Sequence, residues 1–239
     1  MTHAILPRII GAIGAEDFVA VTAGALCEYL GFELTAVFIH RATGTPAVLF
    51  DNFAAAQASR GIENYISCTH KINPMLSRRY STGVHRARDF ALDPRDADAP
   101  HVVVTADEEL GFRTVGWPPR QEEICLYLDA CAGLVELGFY RKRGRSAASP
   151  NKLRALETLS APIAAAFERH ASFMAFPEST LSPREREVCD LLLLGCSSRA
   201  IASRLDISLY TVKDHRKHIF RKLRVGSLAE LFALRSRSH

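Results

Sequence analysis

The sequence predicts an α+β protein in two parts: an N-terminal α/β/α sandwich built on an antiparallel sheet, then a small all-α module. Three observations predict it. Between residues 1 and 173, apolar residues recur at helical spacing near both ends and at strand spacing between them. From residue 181 onward every apolar stripe is helical, with a cap or a stop between one stripe and the next. A length of 239 residues, 48% hydrophobic and 23% charged, also suffices for two separate cores. The expected boundaries are 1–173 for the first domain, 174–180 for a linker and 181–239 for the second domain.

Taken in order, Phe18, Val21, Ala25, Leu26 and Tyr29 share one face of a helix from Gly14 to Leu30, and Gly31 supplies its stop. Leu34 to His40 and Ala47 to Phe50 flank a Thr-Gly-Thr-Pro turn and make a hairpin. A helical stretch covers roughly Asn52 to Tyr80, and a polar, proline-bearing loop spans Ala91 to Pro100. Strands are expected at His101–Ala106, Glu123–Asp129 and Leu134–Arg141. A long helix, Asn151 to Phe173, closes the domain with Leu153, Leu156, Leu159, Ile163 and Phe167 inward, despite Pro162.

Composition excludes several classes. No stretch approaches the ~18 consecutive apolar residues that span a bilayer, and Met1 to Ile10 lacks a basic segment followed by a long apolar one. No membrane partner is expected, and a cytoplasmic location is. Cys27, Cys68, Cys125, Cys131, Cys189 and Cys196 form no CxxC pair and lack metal-ligand spacing, so they are expected as reduced thiols with no metal. No cofactor and no catalytic residue are expected: Cys68 and His70, two apart on a helix, point in different directions and lack an orienting acid.

The formal net charge of +4 is unevenly spread. Residues 1–176 carry 18 Lys and Arg against 19 Asp and Glu, whereas residues 177–239 carry 12 against 7. A compact basic module is an electrostatic footprint for a phosphate polymer. Its helices are well punctuated. Ser182 is an N-cap with Pro183 at the first helical position and Glu185 completing a capping box; Val188, Leu191 and Leu192 face inward, and Gly195 ends the helix. Ser197 caps a second helix through Leu205, with Ile201, Ala202 and Leu205 inward. After Asp206-Ile207, Ser208 caps a third, Leu209 to Leu223, with Val212, Ile219, Phe220 and Leu223 inward and Lys213, Asp214, Lys217 and Arg221 outward. That is helix-turn-helix geometry, in which the second helix of the pair enters the major groove. Lys213 and Lys217 can donate to guanine edges and Asp214 can accept from cytosine. Tyr210, Thr211, Arg216, Lys222 and Arg224 suit phosphates.

The run LSPREREVCDLLLLGCSSRAIASRLDISLYTVKDHRKHIFRKL with VGSLAELFAL closely resembles the LuxR-type helix-turn-helix of bacterial transcriptional regulators, from Leu181 to about Leu234. The resemblance implies a four-helix module whose third helix reads double-stranded DNA, with the positions of Lys213, Asp214 and Lys217 at the bases. It also implies that the last helix, Ser227 to about Leu234, pairs two subunits on a two-fold operator through Leu228, Leu231 and Phe232. Ala200 stands where the family usually has Glu, so the second capping box loses its acceptor. Region four of sigma factors shares the opening, but His215-Arg216-Lys217-His218-Ile219 favours the LuxR pattern.

The element order of the first domain resembles GAF- or PAS-like sensor domains, with Glu136-Leu-Gly-Phe-Tyr-Arg141 as their last strand. Tyr65 and Asn73-Pro74 are also similar to a segment of the acyl-homoserine-lactone receptors of quorum sensing. Asn73 replaces the Asp that accepts the ligand amide there, so a lactone is not the favoured ligand. A small-molecule effector is expected all the same, with Tyr65, His70, Asn73, Tyr80 and Trp117 as pocket residues. The alternative is a ligand-free protein-interaction or dimerisation module. A phosphorylated receiver is excluded because no acidic pair follows the first strand.

Overall fold

The computed structural model describes residues 5–77, 82–90, 99–144, 148–174 and 180–236. The chain divides into two units, Met1–Ala171 and Ser172–His239.

In the first unit, helices α1 (Ile5–Gly11) and α2 (Phe18–Leu30) precede strands β1 (Leu34–His40) and β2 (Ala47–Asp51). Short helices α3 (Ser59–Ser67) and α4 (Pro74–Ser77) follow, then β3 (Gly83–Arg86), β4 (Val102–Val104), β5 (Phe112–Thr114), β6 (Gln121–Ala130), β7 (Gly133–Lys142) and α5 (Pro150–Met174). Five strands form one antiparallel sheet in the order β2-β1-β7-β6-β3, which is the expected sandwich architecture.

Alternation along the strands gives the sheet two unlike faces. Val37 and Ile39 of β1, Ile124, Leu126 and Leu128 of β6, and Val135, Leu137 and Phe139 of β7 pack with α1, α2 and α5 in one apolar core. The opposite set carries Phe38 and His40, Glu123, Cys125 and Tyr127, and Glu136 and Tyr140. This second face is covered by α3, α4, short 3-10 turns and a separate β4-β5 ribbon, in two smaller clusters.

Several expectations need correction. The helical stretch from Asn52 is broken into a 3-10 turn at Phe53–Ala56, α3, a second 3-10 turn at Thr69–Ile72, and α4. Gln57 is left-handed (φ 55°), Cys68 leaves the helical region, and Asn73 is extended because the ring of Pro74 disfavours the helical conformation before it. The strand expected at His101–Ala106 shortens to Val102–Val104 and pairs with β5 outside the main sheet. Sequence spacing did not reveal α1, β3 or β5, each of seven residues or fewer and too short for a clear period. Tyr80 lies outside the described residues, as does most of the expected Ala91–Pro100 loop.

The second unit contains α6 (Pro183–Leu193), α7 (Ser198–Leu205), α8 (Leu209–Leu223) and α9 (Leu228–Ser236). Leu181, Val188, Cys189, Leu192, Ile201, Val212, Ile219, Leu223 and Leu231 form its core. Gly195 adopts the left-handed conformation (φ 78°) that the α6 stop requires.

Candidate functional site

The exposed side of α8 is built by the helices behind it. Ser208 accepts a hydrogen bond from the Thr211 amide at 3.0 Å, fixing the first turn, and the two hydroxyls lie 2.8 Å apart. The turn into α8 is set by Asp206 at φ 51°, and Arg184 of α6 donates to the Leu205 carbonyl at 2.6 Å, satisfying one of the open acceptors ending α7. With Val212, Ile219 and Leu223 in the core, Lys213, Asp214, Lys217 and Arg221 are all exposed within this unit, and Tyr210 is 81% exposed at the start of the helix. Asp214 faces His218 at 3.9 Å, one turn on.

Other cations in the module hold the fold together. The Lys222 ammonium donates to buried Glu185 at 2.6 Å, and this contact lowers the Glu185 carboxyl to about 2. Glu185 simultaneously completes the α6 capping box with Ser182. Lys222 is therefore an internal clamp where a phosphate contact was expected. Arg216 donates to the Ser198 hydroxyl of α7 at 3.1 Å and lies over the Phe220 ring. Leu231 is fully buried in the unit's own core, Leu228 is half-buried and Phe232 is 39% exposed, so the apolar face expected on the last helix is divided between core and surface. The α7 cap is one-sided: Ser197 accepts from the Ala200 amide, and Ala200 returns nothing.

The second cluster lies on the inner face of the sheet in the first unit. Glu136 of β7 is fully buried and collects four neighbours. Its Oε2 accepts from the Tyr65 hydroxyl at 2.8 Å and is hydrogen-bonded to His40 Nε2 at 2.6 Å. Its Oε1 accepts from the Tyr127 hydroxyl at 3.2 Å and faces the Cys125 thiol at 3.8 Å. One step along β6, Glu123 accepts from the same thiol at 3.4 Å. Burial, then the nearby Glu136, push Glu123 up to about 8, and burial drives the Tyr65, Tyr127, Tyr140 and Cys125 protons well above their ordinary ranges.

Above Glu123 is a cavity of about 50 Å³ walled by Tyr65, Phe112, Trp117 and Tyr140, with Asn73, Thr69 and Thr114 among its polar lining. Two glycines create its wall. Gly61 of α3 and Gly116 meet backbone to backbone, so a Cβ on either would lie within 2.9 Å of the other strand of chain. That approach, with Asn64 donating to the Val115 carbonyl at 2.8 Å, carries Trp117 onto Tyr65 (5.7 Å between ring centres) and Tyr140 (5.3 Å). Gly138 leaves room for the Tyr140 ring, which lies where a Cβ at 138 would be.

Tyr65, Asn73 and Trp117 thus converge on one cavity. His70 does not line it: its Nδ1 is hydrogen-bonded to the Tyr65 carbonyl at 3.0 Å, and burial lowers its pKa. The Asn73 side-chain carbonyl is committed to the Met75 amide at 3.0 Å, and its amide nitrogen donates toward the Tyr65 hydroxyl at 3.5 Å. Cys68 donates to the Asn64 and Pro100 carbonyls, away from His70. Glu123, Glu136, Tyr127 and Tyr140 were not foreseen. Their signal was present as polar residues alternating with aliphatic ones along two strands, a pattern that by itself describes a wet sheet face.

Residues 179–234 match the family model described as bacterial regulatory proteins, luxR family. A putative HTH-type transcriptional regulator of Aeromonas salmonicida is 37% identical over 150 residues, covering 52% of this chain and 74% of that protein. The chain belongs to the LuxR family. Like its relatives, this LuxR-family protein is a DNA-binding transcription regulator. The transcriptional regulatory protein FixJ of Bradyrhizobium diazoefficiens is 39% identical over 75 residues, 31% of this chain and 37% of FixJ. Among solved structures, SdiA in complex with octanoyl-rac-glycerol is similar at 16% identity and TM-score 0.48, covering 99% of this chain and 93% of that one. The VqsR LBD domain of Pseudomonas aeruginosa is similar at 13% identity and TM-score 0.48, over 72% of this chain and 96% of that one. Among the described residues no helix is long and apolar enough to cross a membrane.

Proposed function

We propose that this LuxR-family regulator is a one-component switch. Residues 181–239 bind a two-fold DNA operator as a homodimer in the cytoplasm, and residues 1–173 bind a small effector that controls them through the linker 174–180. The observation that carries the DNA half is the open cationic side of α8. Lys213 and Lys217 stand one turn apart on a helix capped at Ser208, so both can enter one major groove, with Asp214 beside them and Tyr210, Thr211 and Arg221 toward the backbone. The effector half is supported by the cavity above Glu123, an aromatic-walled space with a few convergent polar groups. The first domain acts by binding and not by catalysis.

The test is DNA binding by the full chain on operator fragments selected from random sequence. The expected result is a steep loss of affinity with salt, as several phosphate contacts demand, and loss of sequence preference in Lys213→Ala with Lys217→Ala. Unchanged preference in that double variant would sink the assignment of α8 as the reading helix. Sedimentation of the protein-DNA complex tests the homodimer.

A further inference from the structure

The chemistry of the cavity narrows the effector further, on the reading that this cavity is the effector site. Among the described residues lining it none is Lys, Arg or His, while Glu123 is present in the lining. Arg113 lines an adjoining smaller space that shares Leu110, Phe112, Trp117 and Glu123, and is taken up by Glu108 at 3.5 Å and by the Trp117 carbonyl at 3.3 Å. His40 lies on the far side of Glu136, hydrogen-bonded to it. Among the described residues, the space above Glu123 is therefore bounded on one side by a carboxyl with no cationic side chain in its lining.

Its other sides include the aromatic side chains Tyr65, Phe112, Trp117 and Tyr140. Trp117 packs against Tyr65 and Tyr140 with ring centres 5.7 and 5.3 Å away, and against Phe53 at 4.6 Å. Aromatic rings clustered beside a carboxyl form the environment that attracts a desolvated ammonium, since the ring faces carry negative charge density. At about 50 Å³ the volume holds a few water-sized groups. That suits a compact cationic head, whereas drug-sized ligands occupy pockets of roughly 300–1,000 Å³.

We propose that the cavity takes an organic cation, a primary or methylated ammonium, with its charge against Glu123 and the Tyr65, Trp117 and Tyr140 rings around it. Binding is a proton exchange. Glu123, facing Glu136 and Tyr140 of β7, Cys125 of its own strand and Glu109 of the β4-β5 loop, holds its proton at neutral pH in the free protein. The arriving cation stabilises the carboxylate, the proton leaves to solvent, and no covalent bond changes on the ligand.

The experiment is calorimetric titration and thermal unfolding of the full chain with choline chloride, with its neutral isostere 3,3-dimethylbutan-1-ol, and with an acyl-homoserine lactone. Choline is expected to bind and raise the unfolding temperature, with close to one proton released per cation at pH 7, read from two buffers of different ionisation enthalpy. Binding should weaken by about tenfold in Glu123→Gln, and the proton release should vanish. Trp117→Leu, which leaves the acid in place, should also weaken choline binding while keeping the proton release. Equal or better binding of the isostere or the lactone overturns the cation proposal but leaves the cavity as the effector site. Absence of any heat or thermal shift with all three overturns both.

Discussion

Two polar surfaces of this chain behave differently because one is open to water and the other is largely covered. On α8, Lys213, Asp214, Lys217 and Arg221 stand in water, where burial imposes no cost and a partner is met by long-range attraction. On the inner face of β6 and β7, Cys125, Tyr127, Glu136 and Tyr140 are buried with Glu123 half-buried beside them, and each buried proton must be accounted for by a neighbour. An exposed cluster can be altered without disturbing the fold. A buried one couples stability, protonation and binding.

The contrast is broken most directly at Glu136. Glu136→Ala removes the acceptor for Tyr65 and Tyr127 and the partner of His40, and should cost about 3–5 kcal/mol in denaturant unfolding of the first unit. A loss below about 1 kcal/mol would show that water replaces the network at little cost. At the wet surface, Lys213→Ala or Lys217→Ala should each take about 1–3 kcal/mol from specific DNA binding, with no change in unfolding midpoint. A fall in midpoint would mean the lysines have a structural part that the exposed geometry lacks.

Acidity sharpens the comparison between the units, because their carboxyls move in opposite directions. Glu123 is raised to about 8, so the folded first unit holds a proton that the unfolded chain releases above the usual value of 4.5. Its stability should be highest below that value and fall as pH rises toward 8, and Glu123→Gln should flatten the fall. Glu185 is lowered to about 2, so the second unit keeps the full contribution above 4.5 and loses it as pH drops toward 2; Lys222→Met should weaken that dependence, leaving the smaller part due to Ser182. Amide exchange resolved by unit measures both limbs. The smallest expected effect is a gain: Ala200→Glu completes the α7 capping box and should add about 0.5–1 kcal/mol to the second unit.

Much of the molecule was legible in residue order because its signals are local. Ser182, Ser197 and Ser208 cap their helices as the spacing required, Gly195 stops α6, and the side of α8 that is open is the side that lacks Val212, Ile219 and Leu223. The β1-β2 hairpin, the two long strands and α5 were equally apparent from their periods. The short elements and the fate of Lys222 were not, since an ion pair with Glu185 spans 37 residues and leaves no local trace.

The sequence alone settled the long helices and strands, which helix carries the outward cations, and to which family the C-terminal module is similar, since each follows from neighbours within a few residues. Only the tertiary structure decided that the polar side of β6 and β7 is largely covered. Residues as distant as Gly61 and Gly116 had to touch before Trp117 could lie against Tyr65 and Tyr140 beside Glu123. Burial is a property of the covering layer, and a strand's own alternation does not reveal whether such a layer is present.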